Sequence, residues 1–205
     1  MRRLLGIATV LSVLALTACG TGDGDDAATP DPSSSSSEFG SPTPTATAAV
    51  AVRRPTCDTL LTPVQVSDLM DPGAQGIGDA TTPAGGGRGS TVLELLQIMD
   101  GDSGAVHCTW VLPDSDAGAT ISIMSDPLVA HAGEVYLSTL TLEETTGATG
   151  ERILTIRSLD GFAYTESHGF LDGVWVGVWD GFATESSAIV DAVFATLAAD
   201  NPSRF

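Results

Sequence analysis

The sequence predicts an α+β fold: a single antiparallel sheet with helices packed against it, and one disulfide. Two patterns carry this prediction. Short segments of alternating polarity are separated by turn residues, and the chain closes with an amphipathic helix. Strands and helices do not alternate along the chain and no repeat of fixed period occurs, so an antiparallel sheet is favoured over a parallel one.

The first half of the folded region predicts three helices and a hairpin. Thr62 is a suitable N-cap, with proline at the first position of the helix that follows. Thr91 and Glu94 have the spacing of a capping box, and Asp126 precedes a third helix start. The predicted helices cover residues 63–70, 91–99 and 126–140, and the paired strands cover 106–112 and 119–124.

The second half predicts three further strands and a final helix. The strands cover residues 152–157, 162–167 and 174–179, and the last two pair around a connection over 168–173. The helix covers residues 185–199, because its apolar residues repeat with the helical period and an Asn-Pro pair ends it.

The amino terminus has the features of an export signal. Two arginines precede the uncharged apolar run LLGIATVLSVLALTA over residues 4–18. As a helix this run spans only ~22 Å, short of a hydrocarbon core of ~30 Å. We therefore predict a signal peptide over residues 1–18 rather than a permanent membrane span.

The sharpest motif follows directly. Residues 16–20 (LTACG) resemble the bacterial lipobox, in which an apolar residue and two small residues precede a cysteine. The resemblance implies cleavage after Ala18 and diacylglycerol on the Cys19 sulfur, with further acylation giving a stable anchor in membrane lipid. The expected location is the outer face of the cell membrane, outside the cytoplasm.

Composition separates a tether from a domain. Residues 19–55 are rich in serine, threonine and proline and poor in large apolar side chains, so burial cannot offset the entropy of ordering them. We predict a lipidated, disordered tether there and a globular domain over residues 56–205.

The charge balance excludes several functions. The chain has 26 acidic residues, eight arginines and no lysine, and the predicted domain carries a net charge of about −17. Such a surface repels a phosphate backbone, so no nucleic-acid partner is expected. Without lysine, neither a Schiff base nor the lysine of a phosphate-binding loop is available.

Two cysteines remain once Cys19 is lipidated. In an oxidising compartment Cys57 and Cys108 are expected to pair, linking the first helix to the strand that carries Trp110. Metal binding is the alternative, but two cysteines without a matching histidine pair make a poor site. Neither a metal nor a cofactor is expected.

These cysteines also carry a family resemblance. Residues 57–63 (CDTLLTP), 108–110 (CTW) and 161–164 (GFAY), with the final helix, look like the small, uncharacterised envelope lipoproteins of high-GC Gram-positive bacteria. That resemblance implies a lipobox, a low-complexity tether and a CxLL…CxW domain of unknown function. The glycine-rich stretch over residues 73–89 departs from the pattern, as an insertion does.

The candidates for catalysis are weak. Residues 101–104 (GDSG) resemble the nucleophile motif of chymotrypsin-like proteases, but those enzymes need a histidine before the serine, and His107 follows Ser103. The histidines at 107, 131 and 168 lack metal-binding spacing. A turn and ordinary histidines are predicted, and no enzyme is expected.

The last strand has two apolar faces. Val174, Val176 and Val178 alternate with two tryptophans and a glycine. One interpretation is a central strand covered by helices on both sides. The other is an aromatic groove for an apolar or sugar ligand, with the glycine leaving room between the tryptophans. That groove would be lined by Phe162, Tyr164, Trp175, Gly177 and Trp179.

Together these features lead us to expect a membrane-anchored, non-enzymatic binding or accessory module whose ligand no motif identifies. The alternative is a structural or sensory partner of another envelope protein, which requires an exposed apolar patch. A hydrolase is disfavoured.

Overall fold

A computed structural model describes residues 51–79, 87–158, 163–182 and 185–205. The predicted signal peptide, the lipobox with Cys19 and the tether up to residue 50 lie outside the described residues, as does the predicted groove residue Phe162. The predictions for those segments therefore stand as predictions.

The described part of the chain forms one seven-stranded sheet with the order β1-β2-β3-β7-β6-β5-β4. All of its pairings are antiparallel, which confirms the predicted fold class. The meander β1–β3 and the meander β4–β7 are joined where β3 pairs with β7. The strands are β1 Gln75–Asp79, β2 Val106–Val111, β3 Gly118–Met124, β4 Glu143–Thr146, β5 Arg152–Ser158, β6 Tyr164–Leu171 and β7 Val174–Asp180.

Helices cover both faces of the sheet. Those of the described chain are α1 Cys57–Leu60, α2 Pro63–Leu69, α3 Leu93–Met99, α4 Pro127–Leu137 and α5 Ser186–Asp200. On one face, α1, α2 and α5 share a core with the valines of β7. On the other, α3 and α4 share a core with Trp175 and Leu154. Within the described ranges, none of the helices is long and apolar enough to cross a bilayer.

Two predicted helix starts are confirmed. Thr62 caps α2 reciprocally: its Oγ1 accepts the Gln65 backbone N–H (3.3 Å), and Gln65 Oε1 accepts the Thr62 backbone N–H (2.8 Å). Asp126 caps α4 by accepting the backbone N–H of Leu128 (2.8 Å). In both helices proline occupies the first turn, where its missing N–H costs no hydrogen bond.

The predicted capping box of Thr91 and Glu94 is wrong. The helix begins at Leu93, and its N-cap residue Val92 has no side-chain cap. The Thr91 hydroxyl instead donates to the carboxylate of Glu166 on β6. A tertiary partner has therefore replaced the local one.

The connection between β6 and β7 is shorter than predicted. Residues 168–171 continue the ladder against β7, so the predicted connection over 168–173 is wrong. The turn consists of Asp172 and Gly173, whose φ angles are 47° and 73°. Two positive φ angles in succession are typical of a type I′ hairpin turn.

The predicted disulfide is confirmed. Cys57 and Cys108 are bonded at 2.09 Å between the sulfurs, with their Cα atoms 5.3 Å apart. The bond attaches the first residue of α1 to the middle of β2 across a sequence separation of 51 residues.

Residues just before the predicted domain start at residue 56 also contact the domain. Asn201, which follows α5, accepts the Arg53 backbone N–H on its Oδ1 (2.7 Å) and donates from Nδ2 to the Arg53 carbonyl (3.0 Å). Val52 packs against the core under α5. The chain therefore enters the domain beside the end of its last helix.

Candidate functional site

Trp175, one of the predicted groove residues, is a core residue. It is 0% exposed and stacks on Phe170 with ring centroids 5.6 Å apart. Helix α4 presses against it at Gly133, where a Cβ would lie 2.6 Å from the indole. The indole therefore lies under α4 and faces no open groove.

The space at Gly177 is also filled. A Cβ at this position would lie 2.7 Å from Met99 Cε on α3 and 3.2 Å from the carbonyl oxygen of Gly89. The missing side chain therefore makes room for the crossing segment, residues 89–91 of the same chain, rather than for a ligand. With α5 over the valines of β7, both faces of this part of the strand are covered.

The remaining described members of the predicted groove lie together at one end of the sheet. Tyr164 and Trp179 are half-buried, with ring centroids 6.3 Å apart and planes tilted by 40°. The Thr91 hydroxyl lies 3.2 Å from the Tyr164 hydroxyl. The sequence predicted that the strands carrying these two rings pair, but it did not predict the segment that packs beside them.

Beneath that segment lies a buried carboxylate that the sequence analysis missed. Glu166 is 0% exposed and accepts hydrogen bonds from the Ser90 hydroxyl (2.8 Å), the Thr91 backbone N–H (2.8 Å) and the Thr91 hydroxyl. Burial by itself raises the pKa of Glu166, but the neighbouring His168 and the hydrogen bonds from Thr91 and Ser90 outweigh it and lower the pKa below the ordinary value. Glu166 is therefore an interior anion.

His168 extends this network toward α4. Its Nδ1 accepts the indole N–H of Trp175 (3.3 Å), and its Nε2 lies 3.6 Å from Glu166 Oε2. Because Nδ1 is the acceptor, a neutral ring carries its proton on Nε2, on the side of the carboxylate. Both His168 and Glu166 are 0% exposed, so the pair cross-links β6 to the crossing segment out of reach of a substrate.

His107 belongs to a second interior contact. Its Nδ1 lies 2.7 Å from Ser122 Oγ, which also accepts the backbone N–H of Gly89 (2.8 Å). Since Ser122 is 0% exposed, this serine–histidine pair joins β2 to β3 and to the crossing segment. It does not form a nucleophile open to solvent.

The protease-like motif is a turn. Ser103 is exposed, whereas Asp102 binds the backbone N–H groups of Ser125 (2.7 Å) and Asp126 (3.0 Å), and of Gly104 (2.9 Å). Burial raises the pKa of Asp102, but these N–H donors and the charge of Arg54 outweigh it and lower the pKa. Asp102 thus fixes the approach to α4.

A carboxyl pair lies where the β4–β5 turn meets α5. Glu151 is 0% exposed and accepts the Thr149 backbone N–H on Oε2 (2.9 Å), while Asp191 accepts the Ala148 backbone N–H (3.3 Å). Burial and the neighbouring Asp191 raise the pKa of Glu151. Glu151 Oε1 is buried without a hydrogen-bond partner, so a negative charge on this carboxyl group is poorly compensated.

The third histidine lies at the surface. His131 is exposed on α4, beside a shallow cleft of about 330 Å³ that Glu134 and Asp172 also line. Glu134 is paired with Arg152 at 3.2 Å. In the described ranges, no three histidine, cysteine, aspartate or glutamate side chains are grouped to hold a metal ion.

A cleft beside the disulfide is the candidate binding site. It has a volume of about 380 Å³ and opens between α1, α2 and the β1–β2 edge of the sheet. Its apolar lining includes Leu61, Val66, Pro72 and Ala74, and its polar lining includes Asp58 and Ser67. The disulfide joins α1, which contributes Cys57 and Asp58 to the cleft, to β2, which contributes Trp110.

Trp110 provides the inner surface of this cleft. The side chain is only 5% exposed, and a Cβ at Gly76 would lie 3.3 Å from its Nε1. Because Gly76 has no side chain, the indole nitrogen is left uncovered on the cleft side. Among the described residues, no acceptor is hydrogen-bonded to this indole N–H.

Comparisons with known proteins return no match. No protein-family model matches the sequence, and neither a curated protein nor a solved structure is similar to it at a significant level.

Proposed function

We propose that this chain is a lipid-anchored protein of the outer face of the cell membrane, and that its domain is a non-enzymatic module that binds a small molecule. The observation that carries the binding role is the cleft beside the Cys57–Cys108 disulfide, whose lining combines apolar side chains with polar groups and the indole of Trp110. Small-molecule sites are typically concave and combine apolar side chains with a few directed polar groups.

The location is supported by two independent features. Residues 16–19 (LTAC) resemble a lipobox at the end of a short apolar run. The domain contains a disulfide, and disulfides persist in oxidising compartments outside the cytoplasm. Both features fit export followed by anchoring in the membrane through Cys19.

The non-enzymatic role is supported by the contacts of the histidine and carboxylate side chains that could act as acids or bases. In the interior Glu166 binds Ser90 and His168 binds the indole of Trp175, with His168 Nε2 3.6 Å from the Glu166 carboxylate. His107 binds Ser122, and Asp102 binds backbone N–H groups. Each of these contacts stabilises the fold, and none presents a reactive atom to the cleft beside Trp110.

Native mass spectrometry of the protein extracted from its own membrane, beside its Cys19→Ala variant, tests this proposal. We expect the wild type to lack residues 1–18 and to carry the mass of diacylglycerol, and the variant to lack that lipid mass. A small molecule retained non-covalently by the folded domain supports the binding role. A wild-type chain without lipid mass would overturn the anchor.

A second candidate function has one observation in its favour. On α4, Leu128 is 79% exposed and Val135 is 51% exposed, and residues seven apart lie on the same face of a helix. Such an apolar stripe suits a structural or sensory partner in the envelope. We expect Leu128→Glu with Val135→Glu to abolish cross-links to that partner in whole cells if this alternative holds.

A further inference from the structure

We propose that the cleft beside the disulfide binds a small amphipathic cation. This ligand has a flat apolar body, an oxygen that accepts the Trp110 indole N–H, and an ammonium group that pairs with Asp58. The inference rests on the proposed function as a binding module and names the chemical class of its ligand.

The unpaired indole is the first argument. Trp110 is only 5% exposed, but its indole nitrogen is not among the buried, unpartnered atoms of the described residues, so water in the cleft reaches the N–H. Here the nitrogen lies under Gly76, and both residues line the cleft. A ligand oxygen placed in the cleft supplies the acceptor that the described residues do not.

The shape of the cleft is the second argument. The lining includes Val66 and Leu61 from the helical side and Pro72 and Ala74 from the segment before β1. A volume of about 380 Å³ is at the lower end of the range for ligand sites. This volume suits a molecule of one ring with a short chain. The apolar ring of such a molecule replaces water against the apolar lining residues.

Charge is the third argument. Asp58 is exposed in the first turn of α1 and lines the cleft, and it takes part in none of the ion pairs found among the described residues. The predicted domain as a whole carries a net charge of about −17. A cation is therefore attracted both to the protein and to this rim, whereas an anion is repelled.

The test uses two probes that share a ring and differ in charge: tyramine, with an ammonium group, and 3-(4-hydroxyphenyl)propionate, with a carboxylate. Mature protein purified from membranes and placed in lipid nanodiscs is titrated with each probe, and the Trp110 indole ¹H–¹⁵N resonance is followed. We expect tyramine to shift this resonance saturably, with a Kd on the order of 1 mM for so small a ligand. We expect the carboxylate probe to bind at least tenfold more weakly.

Variants separate the parts of the proposal. Asp58→Asn should reduce the preference for tyramine over the carboxylate probe. Trp110→Phe keeps an aromatic ring but removes both the donor and the indole resonance, so its tyramine affinity is measured from the ligand's own NMR signals, and it should fall several-fold. Ser67→Tyr, on the half-buried side of α2, should block the cleft. Val64→Tyr adds the same ring at a position of the same helix that is 67% exposed, and it should bind tyramine as the wild type does. Thermal unfolding of each variant checks that it is folded.

The outcomes distinguish this inference from the proposed function. Equal binding of both probes, or tyramine binding unchanged by Asp58→Asn, overturns the cationic class. An indole resonance that tyramine does not move overturns the ligand proposal, although a molecule retained in native mass spectrometry would still support a binding module. Tyramine binding that survives Ser67→Tyr overturns the cleft as its site.

Discussion

The backbone of Gly89 passes directly over Gly177, and neither position has room for a side chain. A Cβ at Gly89 would lie 2.0 Å from the carbonyl oxygen of Gly177. This approach places the Gly89 N–H on Ser122 (2.8 Å) and the two residues that follow it on the buried carboxylate of Glu166. The crossing of two glycines therefore holds the interior polar network together.

Gly89→Ala should destabilise the domain by about 2 kcal/mol, the scale of overpacking in a filled interior. The added methyl group must displace the backbone of β7, because the contact at Gly177 is to main-chain atoms. Gly87→Ala is the matched control, since a Cβ there meets nothing within 4 Å. Urea unfolding of both variants measures the difference in their stability. Equal unfolding midpoints would contradict the close contact between Gly89 and Gly177.

Removal of the disulfide should lower the free energy of unfolding by up to about 4 kcal/mol in the chain-entropy model, because the bond closes a loop with a separation of 51 residues. The measurement is thermal unfolding of Cys57→Ala with Cys108→Ala. Reductant should shift the wild type toward the double variant and leave the double variant unchanged. A wild type insensitive to reductant would contradict a stabilising bridge.

Glu166→Gln should lower stability at neutral pH by about 2 kcal/mol, since hydrogen bonds to a charged group are lost. The pKa of Glu166 is lowered from 4.5, so this carboxylate contributes stability above its ordinary value and loses it as the pH falls through the lowered one. The gap between wild type and variant should therefore narrow in acid. Urea unfolding at neutral pH and at about pH 3 tests this, and a constant gap would argue against an ionised Glu166.

Glu151→Gln should raise the free energy of unfolding at neutral pH, whereas Glu166→Gln lowers it. The pKa of Glu151 is raised from 4.5 by burial and by Asp191, so its protonated form contributes stability below the ordinary value, and that stability is lost as the pH rises through the raised pKa. A neutral amide that donates to Asp191 should stabilise the domain at pH 7 by about 1 kcal/mol.

The control for that prediction is Asp116→Asn, which removes one negative charge from the exposed β2–β3 turn. Its effect on the urea midpoint should be small at every pH. If the stability gained by Glu151→Gln persists unchanged near pH 4, or if Asp116→Asn gains as much stability, the Glu151–Asp191 contact is not the cause. The lower net negative charge of the domain would then explain the gain.

Local sequence determined several elements by itself. The Thr62 cap with Pro63 defined the start of α2, and the alternation of β2 and β3 defined their pairing, because each depends on residues within one turn or one hairpin. The periodic apolar face of α5 was equally plain. The disulfide followed from the predicted compartment and from there being just two cysteines besides Cys19.

Edge strands escaped the sequence analysis. β1 contains two glycines and a bulge between Gly76 and Gly78, and β4 is exposed at all four residues. Neither needs apolar alternation, because each is held by a backbone ladder to one neighbour, and β4 also by the ion pair of Glu144 with Arg152 (2.8 Å). Strand propensity depends on this context more than on the residues themselves.

The candidate sites were decided by tertiary structure. Thr91 had a suitable local partner in Glu94, yet it binds Glu166, 75 residues away, because a buried carboxylate must be satisfied and an exposed one is solvated by water. Trp175 and Gly177 met the local requirements of a groove, but α3, α4 and Gly89 fill that space. The sequence by itself determined periodicity, caps and charge, and it predicts the membrane address. Which apolar face stays open, as beside Trp110, depends on long-range packing that no local pattern encodes.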